Sequence, residues 1–523
     1  MAALWDRGYS GWIGVEPFEY TTAAQNIGYL KGLMEARRMT TAPKLRLLKV
    51  ERFERDFTNR LPFRFGVITV MGGTQAVIRA TIALEDGRIA TGVAAESLAP
   101  KWFDKNPVYS DAQNLDQLRQ ALDLAVALYK DAGARTAFDL YSSTYAEQLA
   151  RSASLDLVPL VANYGPALID RAIADALGRA LELSFDQIVR RNVAGIRSTA
   201  LTPDLAGFDI RRFLADLSPG ESIDVRHTVG LVDPITAADQ KEGERVDDGL
   251  PETLEEVVRH YRGRFYKLKV GGSIDADIDR LSRIAAVLDC GAGDYHATLD
   301  GNEQYDDIED VIALWSRIKE TPRLAHLSHS ILFIEQPIKR QAALSKPVRA
   351  IAAEKPLLID ESDGEIDTFP AALAMGYAGV SSKTCKGFYK SILNAARCAM
   401  HNARGDGARL FLSAEDLTTL AGASVQQDLA LVSLLGLTHV ERNGHHFIDG
   451  MSFAPKSEQA SFAAAHADLY DAASGTARLR IKNGRLLLGS LWQPGFANRG
   501  EMDFSTMRRM PPSRQCRVPK GGP

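Results

Sequence analysis

Five short apolar runs in the second half of this 523-residue chain end on ionisable residues: Lys267 and Lys269 in FYKLKV, Asp300 in HATLD, Glu335 in ILFIE, Asp360 in PLLID and Lys383 in GVSSK. Singly, each means little, because lysines at strand ends are commonly solvated and an acid after a strand is commonly a helix cap. Their order carries the chemistry. Residues two apart on a strand share a face, so Lys267 and Lys269 point the same way and one can serve the other's pKa. Three carboxylates on neighbouring strands make a hard oxygen donor set suited to Mg²⁺ or Mn²⁺ more than to zinc. Lys383 approaches the same point from the opposite side. This set suits removal of a proton next to a carboxylate: a lysine whose pKa is depressed by burial and a nearby cation takes the proton, and the cation and an ammonium stabilise the enediolate charge.

Such a site requires parallel strands whose carboxyl ends meet. After about residue 220, eight candidate strands alternate with amphipathic helical segments: IDVRHTVGLV, FYKLKV, HATLDGN, ILFIEQP, PLLID, GVSSK, RLFLSAED and HVERN. One segment repeats apolar residues at Ile274, Ile278, Leu281, Ala285 and Leu288, with Ser273 as its expected N-cap and Gly291 as its stop. The pattern predicts an α/β fold with a TIM-type (β/α)7β barrel over residues 201–470. Upstream, QAVIRATIALEDGRIATGVAAE alternates Ile78, Ala80, Ile82 and Leu84 on one face and turns at Asp86-Gly87, and helical periodicity follows in LDQLRQALDLAVALYKDA and GPALIDRAIADALGRALEL. Residues 46–200 therefore form an α+β capping domain. Residues 1–45 are an extension of unread role in which GYLKGLMEARRM could form a short helix. The Asn483-Gly484 turn predicts that 471–497 returns to the cap as a small β-unit, and 498–523 reads as a loose basic tail.

Sixty-two Lys plus Arg against sixty-six Asp plus Glu give a net charge of -4, too balanced for a nucleic-acid binder. Four cysteines, Cys290, Cys385, Cys398 and Cys516, form no C-x-x-C pair and are too sparse for a disulfide framework. The first residues lack a basic start with an apolar run, and no stretch reaches bilayer length. A soluble cytoplasmic protein with no membrane or nucleic-acid partner is expected.

The motifs KLK, LDGN, IEQP, IDES and SSK, in this order, resemble the barrel signatures of the enolase superfamily, especially the muconate-lactonizing-enzyme-like branch of its mandelate racemase/muconate lactonizing enzyme family. NRLPFRFGVITV and AAESLAPKWF look like the two substrate-facing loops of that family's capping domain, so the resemblance covers roughly Leu45 to Phe496. It implies Lys269 as second-strand acid/base, Lys267 as a neighbour contacting the substrate carboxylate and Lys383 as the opposite acid/base. It also implies Asp300, Glu335 and Asp360 as Mg²⁺ ligands, with Asn302 and Glu361 in the supporting shell. The substrate would be a small carboxylate, the outcome racemisation or epimerisation, cycloisomerisation or dehydration, and the assembly a homo-oligomer. Lys386-Gly387-Phe388 replaces the glycine pair usual after the sixth-strand lysine, and HVERNGHH lacks the D-x-D of many dipeptide epimerases.

Other candidates read as structural or stay open. His439, His445 and His446 read as packed histidines, Gly271-Gly272 as a plain turn, and Cys385 as packed. Glu415 and Asp416 serve equally well as substrate contacts or as an N-cap for LTTLAGAS. A class I aldolase forming a Schiff base on a barrel lysine, and a non-catalytic binding scaffold, are the competing readings.

Overall fold

The computed structural model describes residues 42–514 other than 66, 67 and 406, so the helix read in GYLKGLMEARRM lies outside the described residues. The cap begins with three antiparallel strands, β1 (Leu45–Phe65), β2 (Ile68–Leu84) and β3 (Ile89–Ser97). On β2, Ile78, Ala80, Ile82 and Leu84 are buried while the residues between them are partly exposed, the period-two signature of a sheet with one covered face. Helices Asp111–Asp131 and Tyr164–Leu181 supply the cover, with Ala137–Ala153 packed on them, and the first opens on a capping box between Ser110 and Gln113.

The barrel has eight parallel strands: β4 (Ser222–Val229), β5 (Phe265–Lys269), β6 (His296–Asp300), β7 (Ile331–Glu335), β8 (Leu357–Ile359), β9 (Gly379–Ser382), β10 (Phe411–Ala414) and β11 (His439–Arg442). Each pairs with the next, and β11 pairs back to β4, so the sheet closes. The fold is the (β/α)7β barrel with an α+β cap that the sequence predicts. One hydrophobic cluster runs from the cap sheet through its helices into the barrel around Phe388, Leu429 and Val440, and a second fills the other side of the barrel. No helix among the described residues is long and apolar enough to cross a membrane.

The C-terminal segment differs from expectation in two places. The Asn483-Gly484 turn, with φ of 50° and 73°, delivers β12 (Arg485–Leu487) to the barrel strand β4 instead of to the cap. The reason is that Ser222–Asp224 begin below the point where β5 pairs, leaving backbone groups to satisfy. Beyond this strand the chain meets the cap, where the Phe496 ring stacks on Phe185 at 3.7 Å between centroids and the Phe496 N–H donates to Asp175. Residues 498–514 are not a loose tail: β13 (Arg508–Arg509) pairs with Phe53 and Glu54 at the edge of β1. Opposite charge explains the docking, since the Arg508 guanidinium binds Glu54 and Asp56.

Candidate active site

Strand register determines which side chains share the barrel interior. Lys269 pairs with Asp300 and Asp300 with Glu335, so these three lie side by side on one face. Glu335 pairs with Leu358, and Asp360 stands two residues beyond it. Ser381 pairs with Ser413, placing Lys383 and Glu415 two residues further along their strands. Glu441 pairs with Arg226, and Thr228, two beyond Arg226, pairs with Lys267. Period-two alternation then turns all of these inward. The ring of ionisable groups follows from parity.

Below it the interior is filled. The His439 ring stacks on Phe265 at 4.5 Å, Phe333 packs on Phe411 at 5.3 Å, and the Arg226 guanidinium lies 5.6 Å over Phe333. His439 is therefore part of the barrel filling, and His445 and His446 pack with His227 behind the ring.

The ring is a dense ionic lattice. The buried Lys267 ammonium lies 2.9 Å from Asp300, 2.7 Å from Glu335, 2.8 Å from Glu415 and 2.9 Å from Glu441. Lys269 donates to Asp300 at 2.5 Å and Lys383 to Asp360 at 2.6 Å. Lys386 adds another ammonium, donating to Ser381 Oγ at 2.5 Å and lying 3.4 Å from Asp360 and 3.1 Å from Asp363. Burial opposes every one of these charges. Lys383 is nevertheless held above its usual pKa by Asp360, and Lys267 above its own by Asp300, Glu335, Glu415 and Glu441. For Lys267 and Lys383 the enclosing carboxylates outweigh burial. Burial and then repulsion from Asp300 and Glu415 push Glu335 well above the usual carboxylate range, and burial with Asp360 and Glu303 nearby pushes Glu361 up to about 6.

Every site residue named from the sequence lies at or beside this ring. Asn302, at φ 41°, donates its N–H to Asp300 and its amide to Glu361 at 3.3 Å. Gly301 permits the close approach here, since a Cβ on it would meet Pro337 Cα at 2.5 Å. The sequence reading missed Glu441 and Lys386 as members of the lattice. The alternation that placed Lys267 and Lys269 on one face applies equally to Glu441. Glu415 is no N-cap: it binds Lys267 and Arg226, and the helix after it starts at Ala423. Asp416 instead closes its own loop, accepting from the N–H groups of Leu417, Thr419 and Asn443. The Gly271 and Gly272 N–H groups donate to Asp277, which makes this segment a βα turn. That carboxylate, not the unbonded Ser273 side chain, orders the helix start.

The expected metal triad has a different geometry from the one read off the strand order. Asp300, Glu335 and Asp360 face ammonium groups, and among the described residues no three acidic, histidine or cysteine side chains gather as a ready ligand cluster. Buried oxygens beside them are open to a cation: Glu335 Oε1, Glu361 Oε2 and Asn302 Oδ1 accept no hydrogen bond, and Glu335 Oε2 meets only the Lys267 ammonium, at 2.7 Å. Such a donor set fits a hard divalent cation once Lys267 releases Glu335.

A cavity of about 400 Å³ stands over the ring, with Lys267, Lys269, Asp300, Asp360, Lys383 and Glu441 on its floor. Both cap segments singled out in the sequence line it: Phe57 to Thr74 from the β1–β2 hairpin, and Ser97 to Trp102 after β3. The Trp102 ring lies 4.4 Å from the Lys383 ammonium, a cation–π contact that ties the cap loop to the floor.

No protein-family model and no curated protein matches the chain. Solved structures do. A member of the enolase superfamily from Listeria innocua Clip11262 aligns with a TM-score of 0.56 at 14% identity, over 88% of this chain and 96% of the other. The dipeptide epimerase from Enterococcus faecalis V583, complexed with Mg and the dipeptide L-Leu-L-Tyr, gives 0.54 at 14% identity over 87% and 100%. The 2-chloromuconate cycloisomerase from Rhodococcus opacus 1CP gives 0.54 at 16% identity over 88% and 98%. At these identities the likeness establishes architecture, and the chain has the barrel-and-cap fold of the enolase superfamily.

Proposed function

We propose that the chain is an enolase-superfamily isomerase or lyase. It removes the proton α to the carboxylate of a small acid, and the intermediate goes on to racemisation or epimerisation, cycloisomerisation or dehydration. The observation that carries this reading is the pair Lys269 and Lys383: they stand on β5 and just after β9, four strands apart in a closed barrel, and line one cavity. A substrate α-carbon between them has one lysine on each face. Fold neighbours that include an epimerase and a cycloisomerase are consistent with this chemistry.

Asp300, Glu335 and Asp360 would hold the Mg²⁺ or Mn²⁺. When bound, it would supply electrostatic stabilisation of the charge developing on the substrate carboxylate. The chain's own residues do the rest. Lys383, beside Asp360, exchanges a proton or stabilises charge on its side. Lys269 faces the other side and exchanges the α-proton. Lys267 has three N–H donors and four carboxylate contacts, so it holds the acids of the floor together and is free to meet a substrate carboxylate only after releasing one of them.

The test is α-deuterium uptake in D₂O with Mg²⁺, across acid sugars, N-acyl amino acids and dipeptides. EDTA is expected to abolish uptake. In a racemase or epimerase, Lys269→Ala should lose exchange from one stereoisomer and Lys383→Ala from the other. In a dehydratase or cycloisomerase, one substitution should abolish exchange and the other slow it by about 10² to 10³. Normal exchange in both variants would remove the assignment.

A further inference from the structure

The two halves of the cavity differ in a way that bears on substrate choice. The floor is ionic, whereas the roof presents Phe57, Phe63, Val70, Met71, Leu98 and Trp102. Among the described residues that line the roof, the charged ones are Lys101 and Asp111. Lys101 is turned into its own loop, donating to the Tyr109 carbonyl at 2.5 Å and the Asn106 carbonyl at 3.4 Å. Asp111 is exposed, in the first turn of its helix. No arginine or histidine is among the described lining residues. A second substrate carboxylate would find a counter-ion under this roof only by drawing Lys101 off the Tyr109 and Asn106 carbonyls.

A substrate ammonium reaching past the exposed Asp111 meets carboxylates that are already engaged. Asp416 already accepts from Leu417, Thr419, Asn443 and the Arg442 guanidinium. Glu441 already accepts from Thr228, Asn443, Lys267 and the Asp416 N–H. Burying an unpaired charge here is costly, while burying apolar surface against the roof is favourable.

We infer that the substrate is a monocarboxylate whose α-carbon bears a bulky, uncharged apolar group, aryl or branched alkyl, seated under Phe57, Phe63 and Trp102. The inference rests on the proton-transfer reading of the floor. Trp102 joins the two halves, because the indole that bounds the apolar group also touches Lys383.

The experiment compares three probes on the full-length chain with Mg²⁺ in D₂O: 2-phenylpropionate, the dianion 2-methylsuccinate, and the zwitterion L-alanyl-L-phenylalanine. Calorimetric binding of phenylacetate against succinate gives a readout that needs no turnover. The expected result is a preference of about tenfold or more for 2-phenylpropionate in kcat/KM and for phenylacetate in affinity. Met71→Arg, at an exposed roof position, should narrow both ratios by supplying a free counter-ion. Preferred exchange of 2-methylsuccinate or the dipeptide, or equal binding of phenylacetate and succinate, overturns the inference. Selective phenylacetate binding without exchange of any acid supports the apolar class and overturns the proton-transfer reading instead.

Discussion

Lys267 is the residue on which the floor turns. Its ammonium lies within 2.9 Å of oxygens from four carboxylates at the ends of four different strands, so it offsets mutual repulsion that would otherwise oppose burying them. Removing one partner of a buried ionic cluster is far more damaging than removing the whole cluster, because the remaining charges stay desolvated. Lys267→Met is therefore expected to destabilise the metal-free protein by about 3–5 kcal/mol in its first urea transition. Mg²⁺ should raise the midpoint of the variant more than that of the parent, since the cation then meets the acids without a competing ammonium. An unchanged urea midpoint in EDTA would show that the four contacts carry little of the fold's stability.

At the scale of elements, the long β1–β2 hairpin has to be held down for its tip to roof the cavity. Arg60 does this. Its guanidinium binds Asp248 at 2.5 and 2.7 Å and donates to the carbonyl oxygens of His446 at 2.8 Å and Pro251 at 3.2 Å. These contacts pin the tip to the loop after β4 and to the segment after β11. Arg60→Ala should leave the barrel folded while freeing the hairpin end, because a charge-assisted bidentate pair and the carbonyl contacts, including one to Leu250 at 3.4 Å, are lost together. Hydrogen exchange around residues 57–72 should accelerate, and KM should rise more than kcat falls. Unchanged exchange in that segment would place the clamp elsewhere. The β2–β3 hairpin was legible as alternation from Gln75 onward, whereas of the β1–β2 hairpin the sequence offered only NRLPFRFGVITV, through its resemblance to a substrate-facing loop, and not the pairing that carries it. The 21-residue β1 has irregular register between Leu47 and Lys49 and between Thr58 and Phe63, and such bulges break the simple alternation that marks a strand.

For the whole molecule, buried histidines set an acid limit. Burial holds His227 and His446 below their usual value and brings His466 down to about 4. The geometry around His466 requires the neutral form, since Nε2 accepts from the Arg499 N–H at 3.2 Å while Nδ1 meets Ser490. An unfolded histidine takes up its proton near about pH 6.5. Between that value and the lower folded one, the unfolded chain binds more protons, so stability is full above about 6.5 and falls as pH drops. His466→Gln should flatten the decline of the urea midpoint between about pH 6.5 and about pH 4, by up to about one proton's worth of slope. A parallel decline in parent and variant would show that other groups govern acid sensitivity.

The sequence alone determined the barrel, the cap and the strand ends where the chemistry gathers, because each rests on local periodicity: two for strands, 3.6 for helices, and an ionisable residue closing each apolar run. Lys267, Lys269, Asp300, Glu335, Asp360 and Lys383 were legible for that reason. Tertiary structure alone decided what those residues face. Glu415 and Glu441 reach Lys267 across sequence separations of 148 and 174 residues, and Lys386 enters only because its loop turns back on Asp360. The docking of Arg508 on Glu54 spans 454 residues. Charges pair by distance in space, and closing the barrel brings together strand ends that no local pattern relates. That closure also fixes the sign of the lysine pKa shifts: burial alone would lower them, and the enclosing carboxylates raise those of Lys267 and Lys383.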